Sequence, residues 1–322
     1  MKTKKKRKNK KSIRRFWQIF GIAVGAIALI LIASAVGLYY YTFGEFESQV
    51  VEINTEKISL SEDAPKNDLF HVAVFGVDTY ESYVGRADSV MIFTVDMQNQ
   101  QIKLTSILRD SYVAVQGHGH DKINHAYAYG GAELMLNTIN SNFDMNISEY
   151  LVLDFSDVAM LVDAVGGLDM EITEAERNNI NSLVVSMGGS ERLTQSGFVH
   201  LTGLQVTAYG RIRNIDNEAA RSGRQRVVIQ RLMDKLLEKN IFEYPKLLRE
   251  FLPRLETTLS IGELTEAMLD AARCDWNIRE CVLPDKADNP DGGIYNGVWY
   301  WRYDLDAAAT RWHEFLKNKI TD

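Results

Sequence analysis

Residues 16–41, FWQIFGIAVGAIALILIASAVGLYYY, contain no charged side chain, and such a run constrains everything around it. About 20 apolar residues cross a bilayer as a helix, so the segment predicts one transmembrane helix with some tilt. It is too long for the ~7–15-residue apolar core of a cleaved signal peptide. Residues 1–15, MKTKKKRKNKKSIRR, hold ten Lys or Arg and no acid. That tail should stay cytoplasmic, with Tyr39, Tyr40 and Tyr41 at the far interface. The expected layout is a basic cytoplasmic tail (1–15), a transmembrane helix (16–41), a polar stalk (42–66) and one extracellular domain (67–322), held in the cell membrane by a single pass.

Charge follows the same division. Of 36 Lys and Arg, ten lie in the tail, leaving 26 against 43 Asp and Glu, a net charge of about −17 beyond it. A surface this acidic argues against nucleic acid as a partner, because nucleic acid selects basic faces. Arginines gathered at a few points of such a domain therefore suggest a local use. Cys274 and Cys281 fall in the extracellular part, where a disulfide is chemically permitted; they close a small loop or remain two buried thiols. Two cysteines alone do not make a four-ligand zinc site.

From residue 68 the pattern becomes regular. DLFHVAVFGVD and DSVMIFTVDMQ are apolar runs of strand length and QQIKLTSILRD alternates more weakly, giving three adjacent strands, two of them joined by a tight connection at 98–101. GGAELMLNTINSNF has helical spacing, EYLVLDF reads as a strand, SDVAMLVDAVGG as a helix ended by glycine and LDMEIT as a strand. LTGLQVTAYGRIR and SGRQRVVIQRLMDKLLEKN read as helices, the second with an apolar stripe of Val227, Ile229, Leu232, Leu236 and Leu237. Residues 262–273 and 304–318 give two more helices, with a short strand at RECVLP between them. This alternation predicts an α/β fold, a three-layer α/β/α sandwich around a central mixed sheet.

No GxSxG, GxxxxGK[ST], GxGxxG or HExxH motif is present. Charged residues instead sit at the ends of predicted strands: Asp78 ends the first, Arg86 and Asp88 open the second in GRADSVMIF, and Arg109 and Asp110 close the third. Strand ends at one edge of an α/β sheet form the usual ligand crevice. If the first two strands are antiparallel, Asp78 and Asp88 meet there, and two carboxylates in one crevice call for a cation. Mg²⁺, with Mn²⁺ as the alternative, takes one or two carboxylates plus phosphate oxygens. Arg211 and Arg213, and Glu218, Arg221, Arg224 and Arg226, form a second cluster. Its guanidinium forks suit a pyrophosphate, and the spacing of three puts Arg221 and Arg224 on one helix face. Each residue alone has an ordinary reading: Asp78 a turn residue, Arg109 and Asp110 an internal ion pair, Arg221, Arg224 and Arg226 a solvated face, His118 and His120 an exposed loop. Together they point to a diphosphate.

The motifs FGVD, GRADSVMI, SILRDSYV, KINHAYAYGG, DAVGGLDMEI, LTGLQVTAYGRIR and RSGRQRVVI, in this order, resemble the LytR-CpsA-Psr family, which attaches anionic glycopolymers to peptidoglycan in Gram-positive bacteria. The resemblance runs from about residue 67 to about 235. It implies that Asp78 and Asp88 hold magnesium, with Arg86 in the same motif. Arg109, Arg211 and Arg213 would grip the pyrophosphate of a polyprenyl-linked substrate, and Arg221, Arg224 and Gln225 form the family's last arginine–glutamine motif. The resemblance makes Arg86, Asp88, Arg109 and Glu218 the catalytic candidates, although Glu218 departs from the pattern in standing where most members carry an aspartate, after a short loop 214–220. The implied reaction moves a glycosyl-phosphate polymer from undecaprenyl pyrophosphate to a peptidoglycan hydroxyl, with Asp88 or Asp110 as proton acceptor. The lipid would need an apolar sleeve, for which Val90, Ile92, Leu151 and Leu153 are candidates. Competing readings are a polyprenyl-pyrophosphate hydrolase and a non-enzymatic membrane regulator.

Overall fold

A computed structural model describes residues 50–65, 68–77, 85–216, 218–239 and 243–320. The expected transmembrane helix, the basic tail and Asp78 lie outside the described residues. No helix among the described residues is long and apolar enough to cross a membrane.

Three strands, β1 (Leu69–Val77), β2 (Ala87–Asp96) and β3 (Gln101–Ile107), form an antiparallel meander. The hairpin β4 (Tyr112–Val115) and β5 (Gly119–Lys122) leads into α1 (Ile123–Phe143). Then come β6 (Glu149–Asp154), α2 (Phe155–Ala164), β7 (Leu168–Ile172), α3 (Glu174–Ser186), β8 (Gly197–Leu201), α4 (Gly203–Gly210) and α5 (Glu218–Glu238). The chain finishes with α6 (Tyr244–Phe251), β9 (Glu256–Thr257), α7 (Ile261–Ala271), β10 (Asp275–Leu283), the hairpin β11 (Asp291–Tyr295) and β12 (Val298–Arg302), and α8 (Leu305–Lys317). The main sheet has the order β10-β3-β2-β1-β6-β9. Its β1–β6 and β3–β10 pairs are parallel and the others antiparallel, so the sheet is mixed.

Alternation along the central strands sends side chains to both faces. Ala73, Phe75, Val77, Val90, Ile92 and Ile107 join a core with α1 and α8, whereas Val95 and Ile102, with Phe70 and Phe93, pack under Ala271 and the α5 residue Met233. Helices thus cover both faces, and the central strands read as nearly continuous apolar runs for that reason. A separate core lies between β7, β8 and α2 to α5.

Several expectations change. Residues 50–65, assigned to a stalk, are laid on the domain: Ile58 is 2% exposed inside the main core, and the Val51 amide donates to the Thr257 carbonyl at 2.9 Å. The apolar stripe of α5 keeps Leu232 and Leu236 but takes the buried Val228 in place of Val227, which is exposed. Both cysteines are free thiols, and they pack in the cores on opposite faces of the sheet. Val90 and Ile92, proposed for a lipid sleeve, are buried in the main core, while Leu151 and Leu153 keep partial exposure. The helix over LTGLQVTAYGRIR stops at Gly210, which leaves Arg213 on a loop.

Candidate active site

Antiparallel pairing sets Val77 opposite Ala87, so the end of β1 and the start of β2 share one edge of the sheet. Arg109 follows the end of β3 at that same edge, because β2 and β3 are antiparallel as well. Asp88 is the centre of what gathers there. Arg109 Nη1 donates to its Oδ1, and Arg213 Nη2 donates to its Oδ2 at 2.6 Å. The third guanidinium comes from α5: Arg221 Nη2 donates to the Asp88 carbonyl at 2.8 Å. Asp88, Ser89, Arg109, Arg221, Ser222 and Gln225 line a narrow crevice. Arg213 on the α4–α5 loop and Arg221 on α5 lie more than a hundred residues beyond Asp88 and Arg109, so the fold makes them neighbours.

Burial would raise the Asp88 carboxyl, but the positive charges of Arg109 and Arg213, helped by Arg221, hold it below the usual carboxylate range. Asp88 is therefore ionised, and both its oxygens are occupied by guanidinium groups. A second ion pair adjoins it. Asp110 accepts Lys122 Nζ at 2.6 Å and lies 3.6 Å from Arg109 Nε, tying the mouth of β3 to the start of α1.

The other expected residues divide. Arg224 does not stand beside Arg221. It is 5% exposed, holds both oxygens of Asp216 at 2.5 and 2.8 Å, and donates to the Ile212 carbonyl at 2.8 Å. It clasps the loop that carries Arg213. The Arg211 guanidinium lies over the Phe155 ring, 4.4 Å from its centre. Arg226 pairs with Glu280 at 2.6 Å and donates to the Ser222 hydroxyl at 3.1 Å. Gln225 lines the crevice and donates to the Gly210 carbonyl at 3.4 Å. Arg86 is exposed at the rim. Glu218 opens α5, but its side chain, like Asp78, lies outside the described residues. His118 and His120 are exposed as expected, His118 in the turn of the β4–β5 hairpin and His120 on β5. Among the described residues no group of three or more His, Cys, Asp or Glu could hold a metal. The ionised carboxylate of Asp88 fits a hard cation only once a guanidinium releases one of its oxygens, with phosphate oxygens to complete the set. Lys122 and Ser222 have no role in the sequence pattern beyond their places in KINHAYAYGG and RSGRQRVVI; those motifs are the signal that could have found them.

Comparison with known proteins bears on the family and the fold. Residues 39–317 match the LytR_cpsA_psr family. The polyisoprenyl-teichoic acid–peptidoglycan teichoic acid transferase TagU of Enterococcus faecalis is 29% identical over 314 residues, covering 94% of this chain and 97% of that protein. The crystal structure of B. subtilis TagT superimposes with a TM-score of 0.66 at 23% identity, covering 84% of this chain and 99% of that one. A structure of the LytR-CPS2A-psr family protein YwtF (TagT) with bound octaprenyl pyrophosphate lipid gives 0.63 at 22% identity over 84% of this chain and 98% of that one. At those identities the two structures speak for the fold, while the match across most of the sequence carries the kinship. Seven ordered motifs, three of which line the crevice, and a match spanning 39–317 have one common explanation: the chain belongs to the LytR-CpsA-Psr family.

Proposed function

We propose that this protein is a membrane-anchored phosphotransferase that moves an anionic glycopolymer, teichoic acid or a similar wall glycan, from undecaprenyl pyrophosphate to peptidoglycan outside the cell. The observation that carries the reading is the convergence of Arg109, Arg213 and Arg221 on Asp88 at one strand edge. The names of the curated relatives and the octaprenyl pyrophosphate bound by a structural relative support the substrate class.

In the proposed reaction an acceptor hydroxyl oxygen attacks the phosphorus that bears the glycan. The bond from that phosphorus to the bridging oxygen breaks, and polyprenyl phosphate leaves. Such transfer depends on positioning and charge neutralisation more than on a covalent nucleophile. Guanidinium forks match phosphate oxygens bidentately, so Arg109 and Arg213 exchange Asp88 for the incoming diphosphate, and Arg211 and Arg221 flank it. That exchange frees an ionised carboxylate at the moment a proton must leave the hydroxyl; Asp88 receives it, or the adjacent Asp110 where a cation occupies Asp88. A magnesium ion held by Asp78 and Asp88 would neutralise charge on the diphosphate.

The test is transfer of labelled polymer from a polyprenyl-pyrophosphate donor to peptidoglycan by the full chain in detergent. Arg109→Ala should lower turnover by about 10²-fold or more, and EDTA should abolish it until Mg²⁺ is restored. Polyprenyl phosphate released at the same rate with and without acceptor would establish hydrolysis instead, and turnover indifferent to Arg109→Ala would remove the site.

A further inference from the structure

The β4–β5 hairpin and the start of α1 hold a group of rings that the diphosphate crevice does not use, with Asp121 at its centre. One carboxylate oxygen accepts the Tyr129 hydroxyl and faces His125 Nδ1, both at 2.7 Å. The other accepts the Lys122 amide at 2.8 Å and the Tyr300 hydroxyl at 3.3 Å. Two tyrosines from distant elements are thereby pinned by their polar tips, leaving their rings as fixed plates. Tyr129 lies flat on His118, ring centres 4.1 Å apart and planes within 6°. Tyr112 stacks on His120 at 5.4 Å and meets Tyr300 edge-on at 5.0 Å. These rings are not core: Tyr129 is 46% exposed, and both histidines are open to solvent.

Aromatic faces that stay in water with their hydroxyls already bonded offer flat apolar area at little entropic cost. A pyranose ring matches them, with apolar C–H faces above and below and polar groups around its edge. We infer that the ring cluster around Asp121 is a saccharide subsite, and that its occupant is the peptidoglycan glycan strand that accepts the polymer. The inference rests on the transfer reading proposed above.

Placement favours the acceptor over the donor glycan. Val113, Val115, Ile123 and Ala126 anchor the hairpin and α1 in the core on one face of the sheet. On α5, which supplies Arg221, Met233 packs on the opposite face. Rings and α5 guanidinium therefore approach the strand-end crevice from opposite sides. Attacking and leaving oxygens lie roughly in line across the transferred phosphorus, so an acceptor on the ring side and a lipid phosphate on the α5 side meet that demand. Asp110 bridges the two regions through Lys122 and Arg109, which keeps the subsite within reach of the reacting phosphorus.

The experiment uses the full chain in detergent with a β-1,4-linked N-acetylglucosamine tetrasaccharide as probe, followed by ligand-observed NMR and calorimetry. Tyr129→Ala and His118→Ala, both at exposed rings, should each weaken tetrasaccharide binding about tenfold, or ~1.4 kcal/mol. Each should raise the KM for peptidoglycan and leave the KM for the polyprenyl-pyrophosphate donor unchanged. Tyr129→Phe keeps the ring and should stay within about twofold of the parent protein. No tetrasaccharide binding by the parent protein, binding indifferent to both truncations, or a rise in donor KM alone would overturn the subsite. Ring-dependent binding without any polymer transfer would keep the subsite and remove the transfer reading, so the two fail separately.

Discussion

Arg221 and Arg224 sit one turn apart on α5, yet their partners differ in kind. Arg221 reaches the Asp88 carbonyl in the crevice, whereas Arg224 is turned into the loop before its own helix, where it neutralises Asp216 and satisfies the Ile212 carbonyl. The Asp216 carboxyl is held below its usual range by those hydrogen bonds. Asp88 is held low too, because its guanidinium partners outweigh the effect of burial. A depressed carboxyl contributes stability above its unfolded pKa of about 3.9 and loses it as pH falls through the lower folded value, so neither ion contact is released across the neutral range. Arg224→Ala leaves a buried carbonyl unpaired and a loop untied, and should lower unfolding free energy by about 2 kcal/mol. Arg224→Lys should recover little of it, since an ammonium cannot span both Asp216 oxygens. Chemical denaturation measures the loss. Arg213→Ala, with its side chain 49% exposed, should cost under about 0.5 kcal/mol in the same assay.

Among the elements, α4 is the one whose placement aims the crevice, since Arg211 and Arg213 follow its last turn. Gly203 begins it, and a Cβ there would lie 1.9 Å from the Ala159 carbonyl oxygen of α2. The two helices approach so closely that no side chain fits between them. Gly203→Ala should therefore cost about 3 kcal/mol or more and shift the arginine loop; a melting temperature within a degree or two of the parent protein's would contradict that packing. Legibility in the sequence follows from how local the determining forces are. The strands β1 to β3 are readable because burial on both faces writes itself into the residues as apolar runs. The adjacent valines 227 and 228 make the stripe of α5 ambiguous by one position, and only packing against the β7–β8 core resolves it. The hairpin β11–β12 carries Gly292 and Gly293 and exposed side chains; its place is set from outside, where the Trp301 amide donates to the Asp110 carbonyl. For the site, residue types and their positions at strand ends were visible, including Asp88 and Arg109. The partner of each arginine was not, because the seven-residue stretch 211–217 decides whether a guanidinium faces substrate or its own backbone. The cysteines give the same lesson: Cys274 lies just before β10 and the strand's register shifts between Asp275 and Arg279, so their spacing alone does not reveal that they pack on opposite faces.

The whole molecule is closed at the far end from the crevice by a buried charge. Lys103 on β3 is 0% exposed, and its ammonium donates to Asp96 Oδ2 at 2.6 Å, to the Leu316 carbonyl at 2.8 Å and to the Asn318 carbonyl at 2.9 Å. Three acceptors satisfy three donors, and two of them are carbonyls at the end of α8 that would otherwise lack partners. Asp96 is held in turn by the Asn99 amide and side chain at 2.9 and 2.8 Å. Gln101 grips Ile320 in both directions, at 2.6 and 2.9 Å. The last helix is thus fastened to the β2–β3 turn by polar contacts added to its apolar face, where Trp312 and Leu316 are fully buried. Breaking a buried pair from one side leaves an uncompensated charge, so Lys103→Met should cost about 3–5 kcal/mol. Lys103→Met with Asp96→Leu removes both charges and should recover a large part of that loss, giving a coupling energy of about 1–3 kcal/mol in a double-mutant cycle. Asp96 lies eight residues along β2 from Asp88, about 26 Å at strand rise, so turnover per folded molecule should be unchanged in both variants below their unfolding transitions. Additive losses, or a single-variant cost under about 1 kcal/mol, would mean that α8 is held by its apolar face alone.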